Sequence, residues 1–222
     1  MTSTIKEQEN ATPYFAQWES PELIAQFILN PPAVATDPRW AQSGAKDLEE
    51  YVRWSSHLCG MACLKMILAA KRRRVYPLFD LKRRALRAKA YIEIPDPTGA
   101  PTSEIKGLIY APFVAMIETE FGLQGEVITG ITAQDIPELM KRADYFVASV
   151  HPGIRTPNEV PPKRGGHLVL ITRVAQEEED AQYRFIFHNP SGLSHCTQVN
   201  VGLAIDQFER FFAGRGMVIR AN

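Results

Sequence analysis

Apolar positions along this chain change period near its middle. From Cys59 to Lys71, the residues Cys59, Cys63, Met66, Ile67 and Ala70 recur at spacings of three and four. That spacing predicts a helix with one buried face along its length. Further helices are expected over Lys46–Trp54, Leu78–Tyr91 and Pro112–Phe121, with a breaker-rich loop, Pro95–Pro101, before the last. Beyond residue 122, short apolar or alternating runs predict strands at Glu126–Thr129, Tyr145–Val150, His167–Val174, Tyr183–Phe187, Thr197–Val201 and Met217–Arg220. Thr132, with Asp135 in the first turn, predicts a helix through about Arg142, and another is expected at Asp206–Phe212. The acidic turn Gln176–Asp180 between two of the strands predicts a hairpin. A helical first half and a mostly antiparallel second half make an α+β fold.

Residues 1–44 read differently. Five prolines surround one apolar stretch, Leu23–Leu29, so this segment is expected to be an arm that wraps a domain spanning 45–222. Ser20 before Pro21 is expected to start a short helix there.

Composition narrows the class. Apolar residues at 45% and charged residues at 23% suit a globular protein with a sizeable core, and a formal net charge of zero gives no overall pull toward nucleic acid or membrane. No run approaches the apolar length of a signal peptide or a membrane span, which predicts a cytoplasmic protein without a membrane partner. Three cysteines do not make a disulfide framework and suit a reducing compartment.

Charge is unevenly placed. From Lys71 to Lys89, nine Lys and Arg residues face one acid, Asp80. Such a segment can bind an anionic partner, or it can be a solvated face paired with acids such as Glu177, Glu178, Glu179 and Asp180, which is the preferred reading.

The chemistry lies in three segments. Cys59 opens the central helix in Cys59-Gly60-Met61-Ala62-Cys63-Leu64, where a helix N-terminus and a nearby imidazole favour the thiolate. His167 follows Gly165-Gly166 and begins an apolar strand. Asn189, in Asn189-Pro190-Ser191-Gly192, closes the next strand, so a hairpin sets base and orienting group side by side. Cys63 reads as a core residue, and His57, His188 and His195 as structural or exposed. A zinc site from Cys59, Cys63, His57 and Cys196 lacks the paired short spacings such sites use, and no metal or cofactor is expected.

These segments resemble the papain superfamily, and within it the peptidases that process bacteriocin leaders. The resemblance spans roughly residues 50–200. It implies a papain-like fold and cleavage of a peptide or small amide substrate through a thioester, with a Cys59, His167 and Asn189 triad. An acyltransferase with the same triad and a catalytically silent domain binding a peptide or an anionic partner remain alternatives. Two positions depart from the pattern. The family's oxyanion Gln, six residues before the Cys, is Arg53 here, and its usual Asp-Pro is Asn189-Pro190. The Cys59 backbone amide supplies one oxyanion donor, with Arg53, Ser56 and His57 as candidates for the second.

Overall fold

The computed structural model describes residues 12–95, 103–159, 161–176 and 183–221. Helices α1 (Ile24–Leu29) and α2 (Leu48–Trp54) precede α3 (Cys59–Arg72) and α4 (Leu78–Arg87). Strands β1 (Ile92–Pro95) and β2 (Ser103–Lys106) pair antiparallel and lead into α5 (Tyr110–Phe121). The remainder runs β3 (Leu123–Thr129), α6 (Ile136–Met140), β4 (Tyr145–Val150), β5 (His167–Gln176), β6 (Tyr183–His188), α7 (His195–Gln198), β7 (Val201–Ala204), α8 (Ile205–Glu209) and β8 (Phe212–Ala221). Six of these strands form one antiparallel sheet in the order β3-β8-β4-β5-β6-β7. The fold is α+β.

Period-two alternation sorts the central strands between two cores. Tyr145 and Val147 of β4, with Leu168 and Leu170 of β5, face the helical side and join α3, α4 and α5. Phe146, Ala148 and Val150, with Val169 and Ile171, face the other side and meet Phe208, Phe211 and Phe212. Every residue of β4 is therefore buried, which explains its unbroken apolar run. Helix α3 lies across β5 and β4.

Several expectations are corrected. Helix α3 is buried all round from Gly60 to Leu68, not along one face, because the sheet covers one side and the helices and N-terminal segment cover the other. Even Lys65 is 6% exposed; it pairs with Glu19 at 3.8 Å and lies over the Phe15 ring. Ser20 caps no helix. Its hydroxyl donates to the buried Asp37 carboxylate at 2.6 Å, which also accepts from Tyr51, and the expected short helix begins as a 3-10 turn, Pro21–Leu23, that runs into α1. The strand expected at Thr197–Val201 splits into α7 and β7, since the Ser194 amide donates to Thr197 Oγ1 at 3.0 Å and closes a helical turn. The Thr132 helix starts as a 3-10 turn and ends at Met140. Strands β5 and β6 pair as a hairpin. Most of the acidic turn joining them, and most of the loop between β1 and β2, lie outside the described residues.

The segment preceding α2 crosses both halves of the molecule. Gln17 donates its amide N–H to Pro190 O at 3.0 Å, and its side chain donates to Ser55 O and Ser56 O at 3.2 and 3.0 Å. Tyr14 OH donates to Asn189 O at 3.1 Å, and Gln198 Nε2 to Pro21 O at 2.8 Å. Among the described residues, no helix is long and apolar enough to cross a membrane.

Candidate active site

Cys59 is the first residue of α3, entered through a 3-10 turn, Ser55–His57, that follows α2 directly. Helix and strand approach closely just beyond it. A Cβ on Gly60 would lie 2.6 Å from Leu108 Cδ2 and 3.1 Å from Leu168 Cδ1, so a larger residue there would displace the Leu108 side chain. The half-buried Cys59 thiol opens onto a cavity of about 190 Å³. His167 and Leu168 at the start of β5, Ser56 and His57 before α3, and Leu108 and Tyr110 line it as well.

Gly165 and Gly166 precede His167 with φ of +87° and +100°, a backbone that side-chain-bearing residues rarely adopt. The chain thereby turns sharply into β5, and the His167 ring is left 5% exposed. Its Nε2 lies 2.8 Å from Asn189 Oδ1 and 3.0 Å from Ser191 Oγ. The amide orientation of Asn189 is fixed by Ser191 N–H, which donates to the same Oδ1 at 3.1 Å. Because Oδ1 only accepts, Nε2 must carry the ring proton, and Nδ1 keeps a lone pair. That tautomer makes the imidazole a base at Nδ1. Asn189 Nδ2 is buried without a hydrogen-bond partner.

A third layer backs this pair. Arg155, in a 3-10 turn after β4, donates from Nε to Ser191 O at 2.9 Å and from Nη2 to Ser191 Oγ at 2.8 Å. Burial, and then this guanidinium, push His167 down to about 3, against the opposing effect of the Asn189 hydrogen bond. Burial raises the Cys59 thiol, while hydrogen bonding from the Leu168 and Gly60 backbone and the Arg155 charge act to lower it. Thiol and imidazole are thus both neutral in the resting site. Cys63, fully buried, is raised well above the ordinary thiol range by burial.

The remaining candidates separate cleanly. Ser56 and His57 line the cavity, whereas Arg53 points to Glu93, with Nη2 to Oε1 at 2.7 Å. His57 is pushed down by burial and then by Arg53, so its imidazole is neutral near pH 7. His188 uses both ring nitrogens structurally, with Nε2 at Thr12 O and Nδ1 accepting from Asn200 N–H. His195 and Cys196 are exposed. Among the described residues, no three His, Cys, Asp or Glu side chains converge as metal ligands.

The basic segment is paired with acids other than those expected. Lys71 meets Asp144, Lys82 meets Glu50 at 2.7 Å, Arg83 meets Asp80 and Arg84 meets Glu120. The acids expected as its partners, Glu177 to Asp180, lie outside the described residues.

Sequence reasoning missed Arg155, Tyr14 and Gln17, which reach the site from remote positions. Ser191 was visible within the Asn189 motif but not its contact with His167.

The fold and cavity therefore define an α+β protein with a thiol, an imidazole and a carboxamide gathered from α3, β5 and the end of β6. The chain is similar to the peptidase domain of Streptococcus ComA, a bi-functional ABC transporter involved in a quorum sensing pathway, at 13% identity over 75% of this chain and 93% of that one, with a TM-score of 0.48. It is also similar to a double glycine motif protease from an AMS/PCAT transporter in complex with its leader peptide, at 14% identity over 74% and 84% of the two chains, with a TM-score of 0.45. No protein-family model and no curated protein matches the chain.

Proposed function

We propose that this chain is a papain-like cysteine hydrolase that cleaves a peptide or related amide bond. The observation that carries this reading is the 2.8 Å contact of His167 Nε2 with Asn189 Oδ1, which leaves Nδ1 as the base in the cavity that Cys59 also lines. His167 Nδ1 takes the thiol proton as Cys59 Sγ attacks the substrate carbonyl. The tetrahedral oxyanion accepts from the Cys59 backbone N–H at the start of α3 and from a second donor on Ser56 or His57. The leaving amine departs with the proton held by His167. Water then attacks the thioester, deprotonated by the same nitrogen, and regenerates the thiol. Asn189 holds the ring and its tautomer throughout.

In this reading residues 45–222 form the catalytic domain and 1–44 an arm, and the bonds from Tyr14 and Gln17 to the Asn189 loop support the arm as part of its frame. Three free cysteines suit a reducing, cytoplasmic compartment.

A second reading, a silent domain that binds a peptide without cleaving it, is favoured by one observation: burial opposes the charged form of both Cys59 and His167. p-Nitrophenyl acetate separates the two. A hydrolase gives acetylation confined to Cys59, a burst of p-nitrophenolate and then turnover, all lost in Cys59→Ala and reduced at least tenfold in His167→Ala. Acetylation of Cys59 no faster than of a free thiol, and insensitive to His167→Ala, refutes the hydrolase. An acyltransferase shows the same burst, with turnover accelerated by an added amine acceptor more than by water.

A further inference from the structure

The cavity that holds Cys59 extends along the strands to a cation. Arg215 of β8 lines it, together with Ser149 of β4. Among the described residues the exposed Arg215 has no ion pair or hydrogen bond, unlike Arg83 and Arg84. Ser149 is 2% exposed, and its hydroxyl, which faces the cavity, has no protein partner among the described residues. The two groups converge. A carbon built on Gly165 would lie 3.4 Å from Arg215 Nη2 and 3.6 Å from Ser149 Oγ. Guanidinium and hydroxyl, with Ala213 Cβ at 3.4 Å, therefore surround one point beside the backbone, two residues before His167. None of the described residues lining the cavity is an Asp or Glu.

We propose that Arg215 and Ser149 form an anion subsite that selects a substrate carrying a carboxylate beside the bond presented to Cys59. Arg215 supplies charge and two parallel N–H donors, the geometry suited to a carboxylate, and Ser149 supplies a third donor from a buried position. The glycine at 165 is required by its positive φ of +87°. The proposal rests on Cys59 being the reactive thiol of the site.

Two alkylating reagents of nearly equal size test it. Iodoacetate and iodoacetamide both transfer a methylene carbon to Sγ with loss of iodide, and differ in whether a carboxylate or an amide enters the cavity. Modification is followed at Cys59 by peptide mass spectrometry, because Cys196 is exposed. The ratio of iodoacetate to iodoacetamide rates at Cys59 is expected to exceed that of glutathione. It should fall about five- to tenfold in Arg215→Gln, be retained in Arg215→Lys, fall less in Ser149→Ala, and shrink as salt rises. A ratio unchanged by Arg215→Gln overturns the subsite. The reactive-thiol reading is judged separately, by whether the iodoacetamide rate depends on His167.

Two capped peptides identify the source of the carboxylate. Acetyl-Gly-Glu-Gly-amide protects Cys59 from iodoacetamide if the subsite takes an acidic side chain, and acetyl-Gly-Gly with a free C-terminus protects if it takes a terminal carboxylate. Protection by neither, or equal protection by acetyl-Gly-Gln-Gly-amide, overturns the proposal.

Discussion

Two groups of cations in this molecule behave in opposite ways. Between Lys71 and Lys89 the charges are dense, and acids distributed over the fold answer four of the nine, Asp144 for Lys71, Glu50 for Lys82, Asp80 for Arg83 and Glu120 for Arg84. At the candidate site Arg215 lines the cavity and Arg155 backs Ser191, and neither has a carboxylate partner among the described residues. Density of charge along the sequence therefore does not mark the site; position against the thiol and the imidazole does. A paired cation has its field spent locally, whereas Arg155 still acts on His167 and Cys59.

The sharpest way to break the contrast is to unpair a cation of the first group. Lys82 is 4% exposed, sits 2.7 Å from Glu50 and lies over the Trp54 ring at 4.2 Å. Glu50→Gln strands that ammonium, and urea unfolding is expected to show a loss of about 3–5 kcal/mol, with Cys59 alkylation unaltered in the folded protein.

Titration of the site comes next. His167 is held at about 3 in the folded chain but near 6.5 when unfolded. Between those values the unfolded state binds a proton that the folded state refuses, so stability falls as pH drops from about 6.5 toward 3. Chemical denaturation across that window should show the loss, and His167→Gln should flatten it.

Arg155→Met removes a cation whose hydrogen bonds end on Ser191. His167 is expected to move part of the way up from about 3, burial still holding it down, read from its ring-proton NMR titration, and Cys59 alkylation at neutral pH to slow as the thiol loses a nearby positive charge. Stability should fall by about 1–3 kcal/mol, because the buried Ser191 O and Oγ lose these donors. A large stability loss with His167 unmoved would show Arg155 to be structural, and the contrast between the two groups would fail. The smallest effect belongs to Arg84→Gln, an exposed pair with Glu120, worth no more than about 1 kcal/mol by thermal denaturation.

How much of this was legible in the sequence depended on distance along the chain. Strand β4 and the start of α3 follow from local pattern, since burial on both faces or on every side leaves its mark on consecutive residues. The juxtaposition of His167 and Asn189 followed from hairpin geometry across 22 residues. Arg155 left no local trace, because its role is set by Ser191, 36 residues on, in a loop with no periodicity. Counting back from Cys59 to Arg53 also misled. The 3-10 turn Ser55–His57 carries residue 53 away from the cavity to Glu93, and brings 56 and 57 to it instead.

The N-terminal segment described with the fold bears on the order of events in folding. Tyr14 and Asn189 are bonded across 175 residues, and Gln17 joins Pro190 to the turn before Cys59. Such contacts close among the longest loops the chain can form, and they are reached late. During synthesis, helix α3 can therefore form while its thiol still lacks an oriented base. The pairing of His167 with Asn189 is braced only when the first and last parts of the domain meet.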